Sequence, residues 1–157
     1  MNLLVVNLLL AFVWAAMAET FTAGSVVTGF LLGYAALWLL QPVIGRSRYF
    51  HRTWAAVRFV VFLAVELVVA NVAMVRHVLQ PLSTMHPGIV GVPLDTANDL
   101  ETTLLSICVT LTPGSFAVDV SADGRTLFVH VVDAEDPEAV RRLIKNGYER
   151  RLLEVMR

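Results

Sequence analysis

The chain has 157 residues, of which 57% are hydrophobic and 16% charged, against a charged share of about 25% in ordinary soluble domains, a balance that points to lipid. A formal net charge of -1 argues against a nucleic-acid partner, which normally leaves a basic stripe on a folded domain. The single cysteine, Cys108, excludes an intrachain disulfide and reads as a small core residue.

Apolar residues crowd before Gln80, and acids and bases crowd after Asp95, so two regions with different solvents are expected. Asn2 to Ala18 and Gly24 to Leu40 are uncharged apolar runs separated by Glu19-Thr20-Phe21-Thr22. Each is at the short end of what spans a hydrocarbon core of about 30 Å, and the two are expected to form a transmembrane hairpin. Ala16-Met17-Ala18 has the small-x-small form of a signal cleavage site, but no Lys or Arg precedes the run, as a signal would require. The reading is therefore a retained span.

Arg46, Arg48, Arg52 and Arg58 follow, interleaved with Tyr49, Phe50 and Trp54. By the positive-inside rule they mark a cytoplasmic topology loop, with the aromatic rings at headgroup level. The Glu19 turn is then external and the start of the chain cytoplasmic.

A third apolar helix, about residues 55–79, holds Glu66 and Asn71 and ends in Arg76-His77. A carboxylate at mid-bilayer costs at least a few kcal/mol, so this helix spans only with partners. If it crosses, the carboxyl-terminal domain is external; if it lies along the cytoplasmic face, that domain is cytoplasmic. The placement cost and the basic tail Arg141-Arg142-Leu143-Ile144-Lys145 favour the cytoplasmic side.

From Ile89 the pattern becomes that of a small soluble fold. Ile89 to Leu94 is β-rich, with Pro93 suiting an edge or a strand end. Leu100, Leu104, Ile107, Cys108 and Leu111 recur at helical spacing before Pro113-Gly114. Phe116 to Val120 and Leu127 to Val131 are strand-like and flank Asp123-Gly124, a hairpin signal. Asp136-Pro137 reads as an N-cap with proline at the first helical position. The helix after it should bury Val140, Leu143, Ile144, Tyr148, Leu152 and Val155, with Glu149 largely elsewhere.

The fold class is therefore a membrane protein: a transmembrane helical hairpin, a third membrane-associated helix, and a carboxyl-terminal α/β domain in the order β-α-β-β-α. The expected organisation is a membrane region at 1–80, a linker at 81–88 and a soluble domain at 89–157.

Chemistry-bearing constellations are sparse. His51, His77, His86 and His130 are scattered with no metal-ligand spacing, so no metal is expected. Ser115, Asp119, His130 and Asp133 lack the strand-turn-helix context of a nucleophile elbow, and no catalytic residue is assigned. Gly29 and Gly33 form a GxxxG spacing that lets a second helix approach closely, or simply a flexible span. Glu66 is either a proton or cation relay or a structural partner on a neighbouring helix, and Asn71 suits interhelical hydrogen bonding.

Taken in order, Asn7 to Trp14, Gly29-Phe30-Leu31-Leu32-Gly33, Glu66-Leu67-Val68-Val69-Ala70-Asn71-Val72, Val78-Leu79-Gln80-Pro81, Gly88-Ile89-Val90, Leu111-Thr112-Pro113-Gly114-Ser115, Val118-Asp119-Val120 and His130-Val131 resemble the E subunit of the Mrp (Mnh) multisubunit sodium/proton antiporters. The resemblance covers nearly the whole chain. It implies an accessory subunit of the bacterial inner membrane, assembled with the A, B, C, D, F and G proteins, serving assembly and part of a sodium path. It implies no cofactor and no enzyme, and assigns no catalytic residue here. The rival reading is a membrane-anchored α/β domain that recruits a partner protein.

Overall fold

The computed structural model describes residues 3–19, 21–44, 47–81 and 85–157. They form two compact units, Met1–Trp54 and Ala55–Arg157.

In the first unit, α1 (Leu3–Met17) and α2 (Ala23–Leu39) are apolar helices joined by a turn in which Glu19 takes a φ of 52°. Thr22 starts α2 with a reciprocal capping box: its side chain accepts from the Ser25 N–H, and Ser25 Oγ accepts from the Thr22 N–H. The pair runs antiparallel, since Gly29 lies against Ala11 and Trp14 while Gly33 lies against Asn7 and Leu10. A one-turn helix, α3 (Gln41–Ile44), follows.

The long helix α4 (Arg48–Leu79) starts earlier than the expected residue 55. Two local causes suffice. Ser47 Oγ accepts from the Tyr49 N–H at 3.2 Å in the manner of an N-cap, and neither glycine nor proline occurs between Arg48 and Gln80 to interrupt helical hydrogen bonding. The basic stretch is thus not a loop as read from the sequence: Arg48, Arg52 and Arg58 are helical residues, and Arg46 lies outside the described residues.

In the second unit, β1 (Gly88–Pro93), β2 (Ser115–Val120) and β3 (Thr126–Val131) form an antiparallel sheet in the order β1-β3-β2. Pro93 ends an edge strand, where its missing N–H costs no ladder bond. Gly124, at a φ of 71°, turns the β2–β3 hairpin, and a register shift between Ala117 and Asp119 marks a bulge in β2.

Helix α5 (Asp99–Thr110) begins at Asn98, whose side chain accepts from the Glu101 N–H, and its acidic first turn suits the helix dipole. Asp136 caps α6 (Pro137–Arg142) by accepting from the Ala139 N–H. A π-helical stretch, Leu143–Glu149, then leads into α7 (Arg150–Met156).

Val90, Val92, Leu127, Val129 and Val131 from the sheet meet Leu105 and Val109 of α5, Ile144, Tyr148 and Leu152 of the last helical run, and Phe59 of α4 in one core. Cys108 sits in that core, and burial raises its thiol pKa. The π stretch changes the buried face. Its wider turn, closed by the Arg150 N–H on the Lys145 carbonyl, advances the helix phase, so Leu143 is exposed and Glu149 is buried, the reverse of the α-helical expectation.

Candidate functional site

The inward face of α4 carries Glu66, Ala70, Ala73, Met74 and His77, at the three- and four-residue spacings that stack along one side of a helix. They line a cavity of about 280 Å³ together with the Thr112-Pro113-Gly114-Ser115 turn, Val131, Val132, Asp133 and Leu143. Gly114 takes a φ of 89°, a conformation open to glycine without strain, and so brings the turn close to Met74.

The polar lining divides into spent and open groups. Ser115 Oγ donates to the Val109 and Thr112 carbonyls at 2.8 and 3.0 Å. Thr112 Oγ1 lies 2.9 Å from the Tyr148 hydroxyl. Burial raises the Tyr148 pKa, the Thr112 hydrogen bond opposes that shift, and the nearby Glu66 charge adds to it. His77 Nδ1 is buried with no hydrogen-bond partner among the described residues. Asp133 Oδ1 accepts from the Glu135 N–H at 3.2 Å and lies 4.0 Å from His86 Nδ1.

Asn71 does not join Glu66. It is exposed on another face of α4, where its Nδ2 donates to the Leu67 carbonyl one turn back at 2.6 Å. Arg58 pairs with Glu154 of α7 at 3.6 Å. Arg48 and Arg52 are exposed. Ser115, Asp119, His130 and Asp133 do not assemble: His130 points away from the core face of β3, and the Asp119 side chain accepts from the Val120 N–H.

In the amino-terminal unit Gly29 and Gly33 face α1. A Cβ on Gly29 would stand 2.8 Å from Trp14 Cβ, and one on Gly33 would stand 2.2 Å from Asn7 Oδ1. Asn7 is fully buried and donates through Nδ2 to the Tyr49 hydroxyl at 2.7 Å. Ala11 and Ala15 complete a small-residue face on α1.

A family profile described as Na+/H+ ion antiporter subunit matches residues 7–155. The chain belongs to this family. The E subunit of the Na(+)/H(+) antiporter of Alkalihalophilus pseudofirmus is 32% identical over 152 residues, spanning 97% of this chain and 96% of that one. Its Bacillus subtilis counterpart is 31% identical over 154 residues, 98% of each chain. Among solved structures, a chain of the Mrp complex from a Dietzia species aligns with a TM-score of 0.51 at 24% identity, over 65% of this chain and 96% of that chain. A chain of the membrane-bound sulfane sulfur reductase, an archaeal respiratory membrane complex, aligns with a TM-score of 0.57 at 21% identity, over 96% of each. At those identities the two structures bear on fold alone.

Three residues of this antiporter-family chain carry little signal in the sequence. His77 looks like the frayed end of an apolar helix, and only its position three turns from Glu66 on the same face could single it out. Asn7 is hidden in an apolar run, as the one amide of α1. Glu149 is assigned to solvent by an α-helical periodicity that the π stretch breaks.

Proposed function

We propose that the chain is an accessory membrane subunit of a multisubunit Na+/H+ antiporter, assembled with the other antiporter subunits and serving assembly and part of the cation path. The observation that carries this is the family match over nearly the full length. The outward face of α4 supports it: Val61, Val65, Val68, Val72 and Val75 are exposed, an apolar strip suited to a helix that lies against the cytoplasmic face of the membrane or against another subunit. Lipid could cover the valines, but Asn71 on an exposed face favours another polypeptide there, because an amide is better satisfied between helices than in hydrocarbon.

In this reading α1 and α2 lie in the bacterial inner membrane, with Gly29 and Gly33 as their packing contact. Arg46, Arg48, Arg52 and Arg58 hold the cytoplasmic side, and the α/β domain is cytoplasmic. Docking of Glu66 against that domain spares the carboxylate a hydrocarbon surrounding. Glu66 then serves as the ion-relay candidate and Asn71 as the inter-subunit contact.

The ruling experiment is copurification in mild detergent. The tagged chain is expected to emerge with several larger hydrophobic proteins, and a monodisperse monomer would instead support a membrane-anchored binding domain. That second reading draws on Ile89, Phe116 and Phe128, apolar residues exposed on the sheet.

A further inference from the structure

We propose that the first two turns of α4 are a binding surface for the headgroups of anionic phospholipids. The inference rests on the reading that α1 and α2 lie in the membrane, and it adds a lipid class to that reading. Arg48, His51 and Arg52 are exposed at the three- and four-residue spacings that share one side of a helix. Between Glu19 and Glu66 the sequence has four arginines and no Asp or Glu, so the stretch around this turn carries charge of one sign. Arg58, the last of the four, meets Glu154 at 3.6 Å and is left out of the surface.

The second observation is where this turn is held. Asn7 donates to the Tyr49 hydroxyl at 2.7 Å, and the Tyr34 ring centroid lies 5.8 Å from that of Tyr49 and 5.2 Å from that of Phe50. Asn7 is in the first half of α1 and Tyr34 in the second half of α2. These contacts therefore fix the basic turn at the end of the antiparallel pair away from Glu19. Trp38, one turn past Tyr34, and Trp54, just after Arg52, are both exposed, and indole rings settle at the headgroup level of a bilayer. The basic turn and its flanking indoles thus gather where an apolar helix pair meets lipid phosphates.

Charge selects the lipid. Guanidinium groups bind phosphate oxygens through paired N–H donors, and the His51 ring adds an N–H donor beside them. Phosphatidylcholine carries its own cation next to the phosphate, which the arginines repel, whereas phosphatidylglycerol carries none. Each arginine close to an anionic surface is worth about fivefold in binding. The bases of α6 and α7 differ, because Arg141 faces Glu138, Arg142 faces Asp136 and Arg150 faces Glu154, and each carboxylate cancels much of the field of its partner.

The test is quenching of tryptophan fluorescence in the full chain, reconstituted into phosphatidylcholine vesicles that contain phosphatidylglycerol with brominated acyl chains. Quenching should exceed that by brominated phosphatidylcholine at equal mole fraction, with a relative affinity of about fivefold or more that falls as NaCl is raised. Arg48→Gln combined with Arg52→Gln should remove the preference, Arg48→Lys combined with Arg52→Lys should retain it, and Arg125→Gln on the β2–β3 hairpin should leave it unchanged. The proposal is overturned by equal quenching from the two lipids, or by full preference in the folded glutamine pair. A preference indifferent to NaCl overturns it as well, and that measurement stands even where the glutamine pair fails to fold. Competition by inorganic phosphate at constant ionic strength would assign the turn to a free ion and overturn the lipid assignment. So would an absent lipid preference together with loss of copurifying proteins in the glutamine pair, which would assign the turn to an acidic protein surface. A chain without lipid preference that copurifies with its partners refutes this surface alone; one that prefers anionic lipid and copurifies with nothing refutes the antiporter reading alone.

Discussion

The Phe62 ring of α4 meets the Tyr148 ring of the last helical run edge-on, with centroids 5.2 Å apart and planes at 76°. Arg151 lies over the Phe62 ring at 4.3 Å, and Gly147 makes room for it, since a Cβ there would come within 2.9 Å of the ring. This contact holds α4 against the α/β fold one turn before Glu66.

Phe62→Ala is therefore expected to destabilise the second unit by about 3 kcal/mol, the lower end of the range for truncating a packed aromatic. Urea or thermal unfolding followed by circular dichroism in detergent checks it. An unchanged transition would mean that α4 is not docked through this ring.

Gly33→Val places a branched side chain where a bare Cβ already stands 2.2 Å from Asn7 Oδ1. Overpacking of this kind costs about 1–3 kcal/mol, and here it should part α1 from α2 and break the Asn7–Tyr49 hydrogen bond. Since Trp14 and Trp38 lie on the two helices, tryptophan fluorescence should report an earlier loss of the helix pair. Gly24→Ala, with only Thr22 Oγ1 at 3.8 Å, is the matched variant expected to leave it intact.

Glu101 predicts an acid-sensitive contribution to stability. The Arg157 hydrogen bond, reinforced by the Ala97 N–H, lowers its pKa below the ordinary carboxyl range. A carboxyl group depressed in the folded state contributes stability that is complete above its unfolded value of about 4.3 and is lost as pH falls through the folded value. The wild type should thus melt above Glu101→Gln at neutral pH, and the two curves should converge in acid. Parallel curves down to pH 3 would contradict the linkage.

The elements of the carboxyl-terminal fold are legible because their signals are local. Asp123-Gly124 names its hairpin, Asp136-Pro137 its cap, and Pro93 its strand end. The start of α4 is not, because the arginines between Ser47 and Phe59 suggest a headgroup loop, whereas nothing in that stretch opposes a helix. The α-helical pattern projected through Leu143–Glu149 misplaces Leu143 and Glu149. A π stretch has no strong local signature, and here it comes with a buried ion pair in which Glu149 accepts from Lys145 at 2.8 Å and from the Asp95 N–H at 2.5 Å.

From its order of residues alone, this protein has apolar helices at the amino end, a β-α-β-β-α succession at the other, and a carboxylate in a long apolar helix, since hydrophobic periodicity and turn chemistry act over a few neighbours. Tertiary structure decided which side of α4 that carboxylate occupies and that His77 and Asp133 share its cavity. Those facts depend on contacts between residues far apart in the chain, where packing and burial, rather than local propensity, select the arrangement.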